Sequence, residues 1–231
     1  GQQAKEGPKG YLLEIHGGGW LLVASNAVRI ARRWTRPYRA AGWRVYNIDY
    51  RPGALSYWDS LRALDHLRRR AAGKPICIAG QSAGGHLALL LAAARRWVRC
   101  VVTEGAPTNL VSMADQAAYS PRGGRQLHGP QFIIRSYAIP SFGADRLWRW
   151  SPIRVAHRIR AQVLMATSDR DPFVSVSQQE EMRRRLGRRR VRTMVLPGTH
   201  TTDNFTHAPV SPRSLRAYHA AVRRLLGAVA G

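Results

Sequence analysis

The chain has 231 residues, which is enough for one sizeable α/β domain and does not require a second. Its hydrophobic fraction of 45% is ordinary for a globular protein. No stretch approaches the roughly 18 uninterrupted apolar residues of a membrane span, so we expect no transmembrane segment. The first residues do not form a secretory signal peptide, and the sequence leaves the compartment open.

Basic residues outnumber acidic residues by 37 to 13, and the formal net charge is +24. Such a charge is compatible with weak binding to a polyanion such as nucleic acid, an acidic polysaccharide or an anionic membrane. We favour the alternative that it reflects an arginine-biased composition, with the charge on solvated helix faces. Arginine runs at 68–70, 183–185 and 188–190 are each predicted to end a helix, where cations complement the helix dipole. No nucleic-acid-binding motif accompanies them, so no specific nucleic-acid partner is expected.

Strand and helix patterns alternate along the chain, which predicts a mostly parallel, twisted sheet with helices on both faces. The pair Ser56 and Asp59 resembles a capping box at the start of the second helix. Ser211 followed by Pro212 predicts the start of the last helix. We therefore predict a single α/β domain over residues 1–231. Strands are predicted at 11–15, 43–48, 76–79, 100–104, 162–167 and 191–196, and helices at 26–41, 56–70, within 80–95, 177–186 and 211–226.

The alternation lapses between residues 106 and 158, which contain several glycines and prolines and no long periodicity. An insertion of this length within a compact domain is usually a lid or a binding loop. We therefore expect residues 106–158 to be a lid-like insertion.

The two cysteines, Cys77 and Cys100, each lie near the start of a predicted buried strand. Buried cysteines often serve as small apolar side chains, although two cysteines can also pair. We favour two buried free thiols over a disulfide.

A Gly-x-Ser-x-Gly motif runs from Gly80 to Gly84, directly after an apolar strand pattern and before a helical one. A sharp strand-to-helix turn exposes the central serine hydroxyl above the sheet, and the flanking glycines allow the turn without a Cβ clash. The motif therefore predicts that Ser82 is a nucleophile.

A second motif, His16 to Trp20, follows the first predicted strand. The tetrahedral intermediate of acyl transfer carries an oxyanion that needs preorganised N–H donors. The backbone amides of Gly18 and Gly19, together with that of Ala83, can supply such donors. We expect His16 to anchor this loop through hydrogen bonds.

A serine nucleophile needs a base, and the base needs a residue that orients it. In this kind of sheet they follow the serine in the order Asp or Glu, then His, at the carboxyl ends of later strands. After the fifth strand we favour Asp171 as the acid over Asp169, which is expected to cap the loop or lie at the surface. After the sixth strand we favour His200 as the base over His207, because a Pro-Gly-Thr turn brings it directly after the strand.

Other polar and aromatic residues are expected around these groups. His86, on the helix after the serine, is expected to be packed with its hydrogen bonds satisfied, and Glu104 to be buried and hydrogen-bonded. Trp20 and Gln81 are expected to contact substrate. Further candidates for an apolar or aromatic pocket are Phe142, Trp148 and Trp150.

Together the two glycine motifs resemble the α/β-hydrolase superfamily, and in particular its esterase and lipase branch, which carries a His-Gly-Gly-Gly loop and is related to hormone-sensitive lipase. Within that branch the chain is similar to bacterial feruloyl and acetyl esterases. This similarity rests on Trp20, Asp49-Tyr50-Arg51, the run from Gly80 to Ala88, and Ser151-Pro152-Ile153.

The resemblance implies the α/β-hydrolase fold and ester hydrolysis through an acyl-enzyme, with no metal and no cofactor. It also implies that Ser82, Asp171 and His200 form the catalytic triad. The family has two more strands at the sheet edge before the glycine loop. We expect these to be missing, since only about ten residues precede the first predicted strand.

We therefore expect a serine carboxylic-ester hydrolase that acts on short-acyl or aromatic esters, carried by a small molecule or a polymer. An arylformamidase-type amidase has a similar glycine loop and a similar turn around its serine. This turn, Gly80 to Gly84 in the present chain, is called the elbow below, and the amidase stays open as an alternative. A catalytically inactive hydrolase-fold protein with a basic, polyanion-binding surface is a third possibility.

Overall fold

One parallel sheet of six strands organises the part of the chain that the computed structural model describes, namely residues 7–21, 35–116, 129–198 and 211–231. The strand order is β2-β1-β3-β4-β5-β6, and every neighbouring pair is parallel. The predicted α/β class and mostly parallel sheet are confirmed. The strands are β1 (Tyr11–Ile15), β2 (Arg44–Ile48), β3 (Ile76–Gln81), β4 (Cys100–Glu104), β5 (Gln162–Ser168) and β6 (Val191–Leu196).

Helices connect the strands and cover both faces of the sheet. The predicted start of the last helix is confirmed, since the Ser211 hydroxyl accepts a hydrogen bond from the Ser214 backbone N–H at 3.1 Å. Of the helix predicted at 26–41, residues 26–34 lie outside the described part of the chain. The helices are α1 (Arg36–Ala40), α2 (Leu55–Arg70), α3 (Ala83–Ala94), α4 (Leu110–Asp115), α5 (Gly129–Ile133), α6 (Ile139–Phe142), α7 (Pro152–Val155), α8 (Val176–Leu186) and α9 (Pro212–Ala230).

Side chains that alternate along the strands build two cores, one on each face. Leu13 and Ile15 of β1 belong to the larger core, which includes buried residues of α2, α3 and α8. Leu12 faces the other way and packs in the smaller core with Tyr38 of α1 and Tyr218 of α9. The alternation of period two places successive residues of one strand in different layers. None of the described helices is long and apolar enough to cross a bilayer.

The capping box predicted at Ser56 and Asp59 is wrong. Helix α2 begins one residue earlier, at Leu55, and the preceding residue makes no side-chain cap. The Asp59 carboxylate instead accepts hydrogen bonds from the backbone N–H of Arg51 at 3.0 Å and from its guanidinium at 2.7 and 2.9 Å. A bidentate guanidinium is a stronger donor than a free helix N–H, so Asp59 holds the preceding loop rather than the helix end.

The free thiols expected at Cys77 and Cys100 are also a wrong prediction, because the two residues form a disulfide. The parallel register of β3 and β4 sets these cysteines directly opposite each other, with their Cα atoms 4.6 Å apart. A periodicity argument places each cysteine on a strand, but it does not give the register between strands. The bridge lies in the smaller core and joins the two strands that lead to the elbow and to Glu104.

The lapse in periodicity between residues 106 and 158 corresponds to short helical pieces in the described parts of this insertion. One of them, Ile134–Ala138, is a π-helix, a rare form that is frequent at functional sites. Of the three arginine runs, 68–70 and 183–185 lie in the last turns of α2 and α8, as predicted. Residues 188–190 lie beyond the end of α8, in the turn before β6.

Candidate active site

Ser82 lies at the sharp turn between β3 and α3, as the motif predicts. Its backbone has φ 50° and ψ −119°, a conformation that a residue with a Cβ rarely adopts. Such a conformation costs on the order of 1–3 kcal/mol and persists where the surroundings enforce it. Here the Ser82 N–H donates to the carbonyl of Glu104 at 2.8 Å, and the Ser82 carbonyl accepts from His86 N–H at 3.0 Å. Both neighbouring elements therefore hold the turn.

The glycines on either side of Ser82 are required by close backbone contacts. A Cβ on Gly80 would overlap the backbone of Gly84, and a Cβ on Gly84 would overlap the carbonyl oxygen of Ile15. The loop that follows β1 thus lies directly against the first turn of α3. The two motifs, which are separated by more than sixty residues in sequence, form one site.

The glycine loop after β1 passes beside the serine. A Cβ added to Gly17 would lie 3.4 Å from the Cβ of Ser82. Gly18 and Gly19 have positive φ angles of 117° and 61°. Among the described residues, no acceptor is found for the backbone N–H groups of Gly18 and Gly19. Ala83 is the first residue of α3, a position whose N–H has no partner within the helix. An oxyanion hole requires donors of this kind.

His16 anchors this loop, as expected from the sequence. Its Nε2 lies 3.0 Å from the Asp49 carboxylate, and its ring stacks on Tyr50 with the centroids 4.2 Å apart. The Tyr50 hydroxyl donates to the carbonyls of His16 at 2.9 Å and Gly17 at 3.2 Å. In the sequence, the Asp49-Tyr50-Arg51 run was noted only as part of the family resemblance. Its contact with the glycine loop was not predicted. Its position directly after β2, which is next to β1 in the sheet, is the signal that could have revealed it.

The two candidate acids lie on the loop after β5 and differ in burial. Asp171 is buried, and its Oδ1 accepts from the backbone N–H groups of Phe173 at 2.8 Å and Val174 at 2.9 Å. Asp169 is half-exposed, and its Oδ1 accepts from the Gly198 N–H at 2.9 Å. Asp169 therefore ties the acid loop to the end of β6, the loop-holding role expected for it. The candidate bases His200 and His207 lie outside the described residues.

Trp20 and Phe142 are buried, so neither offers the open substrate contact that the sequence suggested. Trp20 is 1% exposed and meets Phe142 edge-to-face, with the ring centroids 5.3 Å apart. The Trp20 indole N–H donates to Nδ1 of His86 at 3.2 Å. His86 is fully buried with both ring nitrogens hydrogen-bonded, as expected. Trp20 thus positions the end of the glycine loop.

Gln81 also differs from its expected role as a substrate contact. It is 6% exposed, and its Nε2 donates to Oε1 of the buried Glu14 at 3.3 Å. Burial, together with the nearby carboxylate of Glu104, raises the pKa of Glu14 to about 8. Glu104 is buried, as predicted. Among the described residues, no group of three or more His, Cys, Asp or Glu side chains is arranged to hold a metal ion.

Residues 129–142 border the site on two sides. A Cβ added to Gly19 would lie 2.5 Å from the ring of Tyr137 in the π-helix. At the other end, Gly129 packs so closely against the acid loop that a Cβ would overlap the Pro172 carbonyl oxygen. The half-buried Tyr137 and the exposed Phe132 form an edge-to-face pair at 5.9 Å. Sequence reasoning missed Tyr137, since a π-helix leaves no periodic signal.

The parallel sheet, the glycine loop after β1 and the strained serine between β3 and α3 together define an α/β hydrolase. A family model described as the alpha/beta hydrolase fold matches residues 12–204. The chain therefore belongs to the alpha/beta hydrolase family. No curated protein matches it in sequence.

Solved structures share the fold at low sequence identity. The puromycin-hydrolyzing peptidase of Mycobacterium tuberculosis matches with a TM-score of 0.67 and 20% identity, over 99% of this chain and 35% of that chain. Brefeldin A esterase, a bacterial homologue of human hormone-sensitive lipase, matches with a TM-score of 0.74 and 20% identity, over 97% and 70%. A truncated carbohydrate esterase from gut microbiota matches with a TM-score of 0.72 and 16% identity, over 98% of this chain and 87% of that chain. The chain thus spans about a third of the peptidase and most of the two esterases.

Proposed function

We propose that this protein is a serine carboxylic-ester hydrolase that works through an acyl-enzyme. The observation that carries the proposal is the strained Ser82 turn with the glycine loop packed against it, whose Gly18 and Gly19 N–H groups have no acceptor among the described residues. A strained turn that presents a hydroxyl is typical of a nucleophile rather than of a structural serine.

In the proposed mechanism, Ser82 Oγ attacks the ester carbonyl carbon while His200 takes the hydroxyl proton. The N–H groups of Gly18, Gly19 and Ala83 stabilise the resulting oxyanion. The C–O bond to the alcohol then breaks, and His200 returns the proton to the leaving alcohol. Water repeats the sequence on the acyl-enzyme, which releases the acid and restores the serine.

The roles of Asp171 and His200 rest on burial and on chain order. A buried carboxylate that is held by two backbone N–H groups is a fixed orienting group, which suits Asp171. The Gly198 N–H, held by Asp169, brings the chain to the acid loop two residues before His200. This short connection supports His200 as the base over the more distant His207.

The substrate class we propose is a short-acyl or aromatic ester. The support is the position of Tyr137 against the glycine loop, with the exposed Phe132 beside it. The fold is also shared with proteins named as brefeldin A esterase and carbohydrate esterase. An arylformamidase-type amidase is the second candidate, because the same acyl-transfer steps cleave an amide and one similar fold belongs to a peptidase.

The experiment is hydrolysis of p-nitrophenyl esters from acetate to laurate, with methyl ferulate and N-formylkynurenine in parallel. We expect Ser82→Ala to lower kcat by at least about 10³-fold, because no other group can form the acyl-enzyme. The chain-length profile separates a small-acyl site from a lipase-like one. Activity that survives in Ser82→Ala would contradict the proposal, and faster turnover of the formamide would favour the amidase.

A fluorophosphonate probe separates the enzyme from an inactive binding protein. A functional serine is phosphonylated, so we expect labelling of the native protein and none of Ser82→Ala. An unlabelled native protein would indicate a hydrolase fold that has lost its chemistry. Circular dichroism of both proteins checks that the substitution leaves the fold intact.

A further inference from the structure

A cleft far along α3 from Ser82 combines aromatic walls with a cationic rim. Its volume is about 220 Å³, and it lies between α2, the carboxyl end of α3 and α7. Leu90, Ala93 and Val155 supply apolar side chains, each less than a tenth exposed. The cleft is thus separate from the glycine loop and the acid loop, none of whose residues line it.

Three aromatic rings form the walls of this cleft. Tyr57 meets Trp58 and Trp150 edge-to-face, with ring centroids 5.0 and 5.4 Å away. Trp58 is 51% exposed, so a large indole surface faces solvent at the cleft. Phe142 stacks on one face of Trp150, so the exposed indole of Trp58 is the main surface on which a planar group can stack. A volume of about 220 Å³ lies below the roughly 300–1,000 Å³ of most small-molecule pockets, which limits a ligand to one or two fused rings.

Three exposed guanidinium groups, those of Arg149, Arg154 and Arg158, complete the lining. Within the described residues none of the three forms an ion pair. The nearby acid Asp65 is occupied by Arg95, whose Nε and Nη2 each donate to it at 2.7 Å. In the part of the chain that the structure describes, no carboxylate lines the cleft. The rim therefore presents uncompensated positive charge beside aromatic surface.

We propose that this cleft binds a small planar aromatic carboxylate, with the ring between Trp58 and Trp150 and the carboxylate on the arginine rim. Guanidinium groups bind carboxylates through paired, charge-assisted hydrogen bonds, and aromatic walls select a flat ring over an aliphatic body. The limited volume favours a small molecule over a chain of stacked bases. The inference is independent of the reaction at Ser82.

The cleft shares one wall with the aromatic row behind the glycine loop. Trp150 stacks on Phe142 at 4.8 Å, and Phe142 in turn contacts Trp20. The Trp150 carbonyl accepts from Nε2 of His86 at 2.8 Å. A ligand that contacts Trp150 therefore contacts a residue that is hydrogen-bonded to His86 of α3, the helix that follows Ser82.

The test is titration of the native protein with 2-naphthoate, followed by quenching of tryptophan fluorescence and by isothermal calorimetry. The uncharged 2-naphthamide tests the carboxylate, and cyclohexanecarboxylate tests the ring. We expect 2-naphthoate to bind with a Kd below about 1 mM and both comparison ligands to bind at least about tenfold more weakly. Equal affinities for the acid and its amide would overturn the proposal, as would the absence of 2-naphthoate binding up to about 10 mM.

Two variants locate the site. The double substitution Arg154→Gln and Arg158→Gln removes two rim charges, and we expect it to raise the Kd at least about tenfold. Arg213→Gln with Arg216→Gln is the matched control, because it removes the same charge from exposed positions of α9. An equal effect of both pairs, or of neither, would overturn the assignment, since binding would then reflect net charge or another site. Binding of an oligonucleotide but not of 2-naphthoate would overturn it as well.

Discussion

His86 joins the glycine loop, helix α3 and the insertion through a single imidazole. Its Nδ1 accepts from the Trp20 indole, so its Nε2 carries the proton that is donated to the Trp150 carbonyl. Burial lowers the pKa of His86 from 6.5 to about 4. The neutral ring is therefore part of the folded state over most of the pH range, and protonation would leave a charge in the core and remove the acceptor that Trp20 requires.

This residue should give the protein a distinct acid sensitivity. Between pH 6.5 and about 4 the unfolded chain binds a proton at position 86 that the folded chain does not. The free energy of unfolding should therefore fall as the pH drops through this range, at up to about 1.4 kcal/mol per pH unit from this residue. Urea unfolding between pH 6.5 and 4 should show that the native protein loses more of its free energy of unfolding as the pH drops than His86→Gln does. The control is His66→Gln on the exposed side of α2, and an equal loss of slope there would contradict the assignment.

The two acids after β5 should respond differently to removal of their charge. Asp171→Asn should lower kcat by about 10³–10⁴-fold, since the amide no longer stabilises the charged base or fixes its tautomer. Asp169→Asn should cost less than about tenfold, because an amide oxygen can still accept the hydrogen bond from Gly198. Steady-state kinetics on p-nitrophenyl acetate separate the two substitutions. A larger loss at Asp169 would reverse the assignment of the acid.

At the scale of the elements, three buried polar side chains lie near the carboxyl ends of β1, β3 and β4, on the face toward α1 and α9. They are Glu14, Gln81 and Glu104. Glu14 and Gln81 are hydrogen-bonded to each other, and Glu104 lies beside Gln81 in the register of β3 and β4. Burial and the Glu104 charge raise the pKa of both nearby phenols, Tyr38 and Tyr218. The glycine loop follows β1, the elbow follows β3, and the carbonyl that accepts from Ser82 belongs to Glu104 of β4. The three polar side chains therefore lie next to each part of the candidate site.

We expect the ionisation of Glu14 to lower the free energy of unfolding as the pH rises. Its pKa is raised from 4.5 to about 8, so the folded protein holds a proton that the unfolded chain releases in that range. The contribution of Glu14 to the free energy of unfolding should therefore decrease as the pH rises from 4.5 to 8, opposite in sign to that of His86 where their ranges overlap. Glu14→Gln keeps the oxygen that accepts from Gln81 and removes the ionisation. We expect it to melt higher than the native protein at pH 8 and close to it at pH 5.

The matched control for this prediction is Glu180→Gln on the exposed side of α8. It removes the same charge from the surface and should change the melting temperature little at either pH. A Glu14→Gln variant that melts lower at pH 8 would contradict the neutral state assigned to Glu14.

For the whole molecule, the distribution of charge matters more than its sum. Arg99, Arg160 and the run 188–190 precede β4, β5 and β6, at the end of the sheet opposite the elbow. A cleft of about 430 Å³ at that end is lined, as far as residues 7–21, 35–116, 129–198 and 211–231 are concerned, by five arginines and no acidic residue. Part of the positive charge is thus concentrated at this end of the sheet, which is compatible with a solvated surface and with a polyanion-binding surface. The arginines that line this cleft are Arg188, Arg189, Arg190, Arg192 and Arg224.

Heparin chromatography distinguishes these two accounts of the charge. If the basic side binds polyanions, the protein should stay bound at physiological ionic strength and elute as a function of salt. Replacement of residues 188–190 by glutamine should shift elution to lower salt and leave hydrolysis of small esters unchanged. Elution of the native protein at low salt would show that the charge is only a solvated surface.

The strongest predictions came from local patterns. Local backbone geometry, within a few residues, determines the Gly80-to-Gly84 turn, the glycine loop and the alternation of strands and helices. The amino-acid sequence is therefore enough to identify them. Burial of Glu104 and His86 followed from their position on elements with apolar neighbours. The capping box predicted at Ser56 and Asp59 was wrong, because the Arg51 guanidinium binds the Asp59 carboxylate.

The fold class, the family and the candidate nucleophile could be predicted from the sequence, because each rests on residues that are close along the chain. The folded structure was needed to show that Cys77 faces Cys100, that Trp20 is buried against Phe142, and that Gln81 is hydrogen-bonded to Glu14. These outcomes depend on strand register and on which face of an element is covered. Both are set by packing between distant segments, and a periodic pattern in one segment does not contain them.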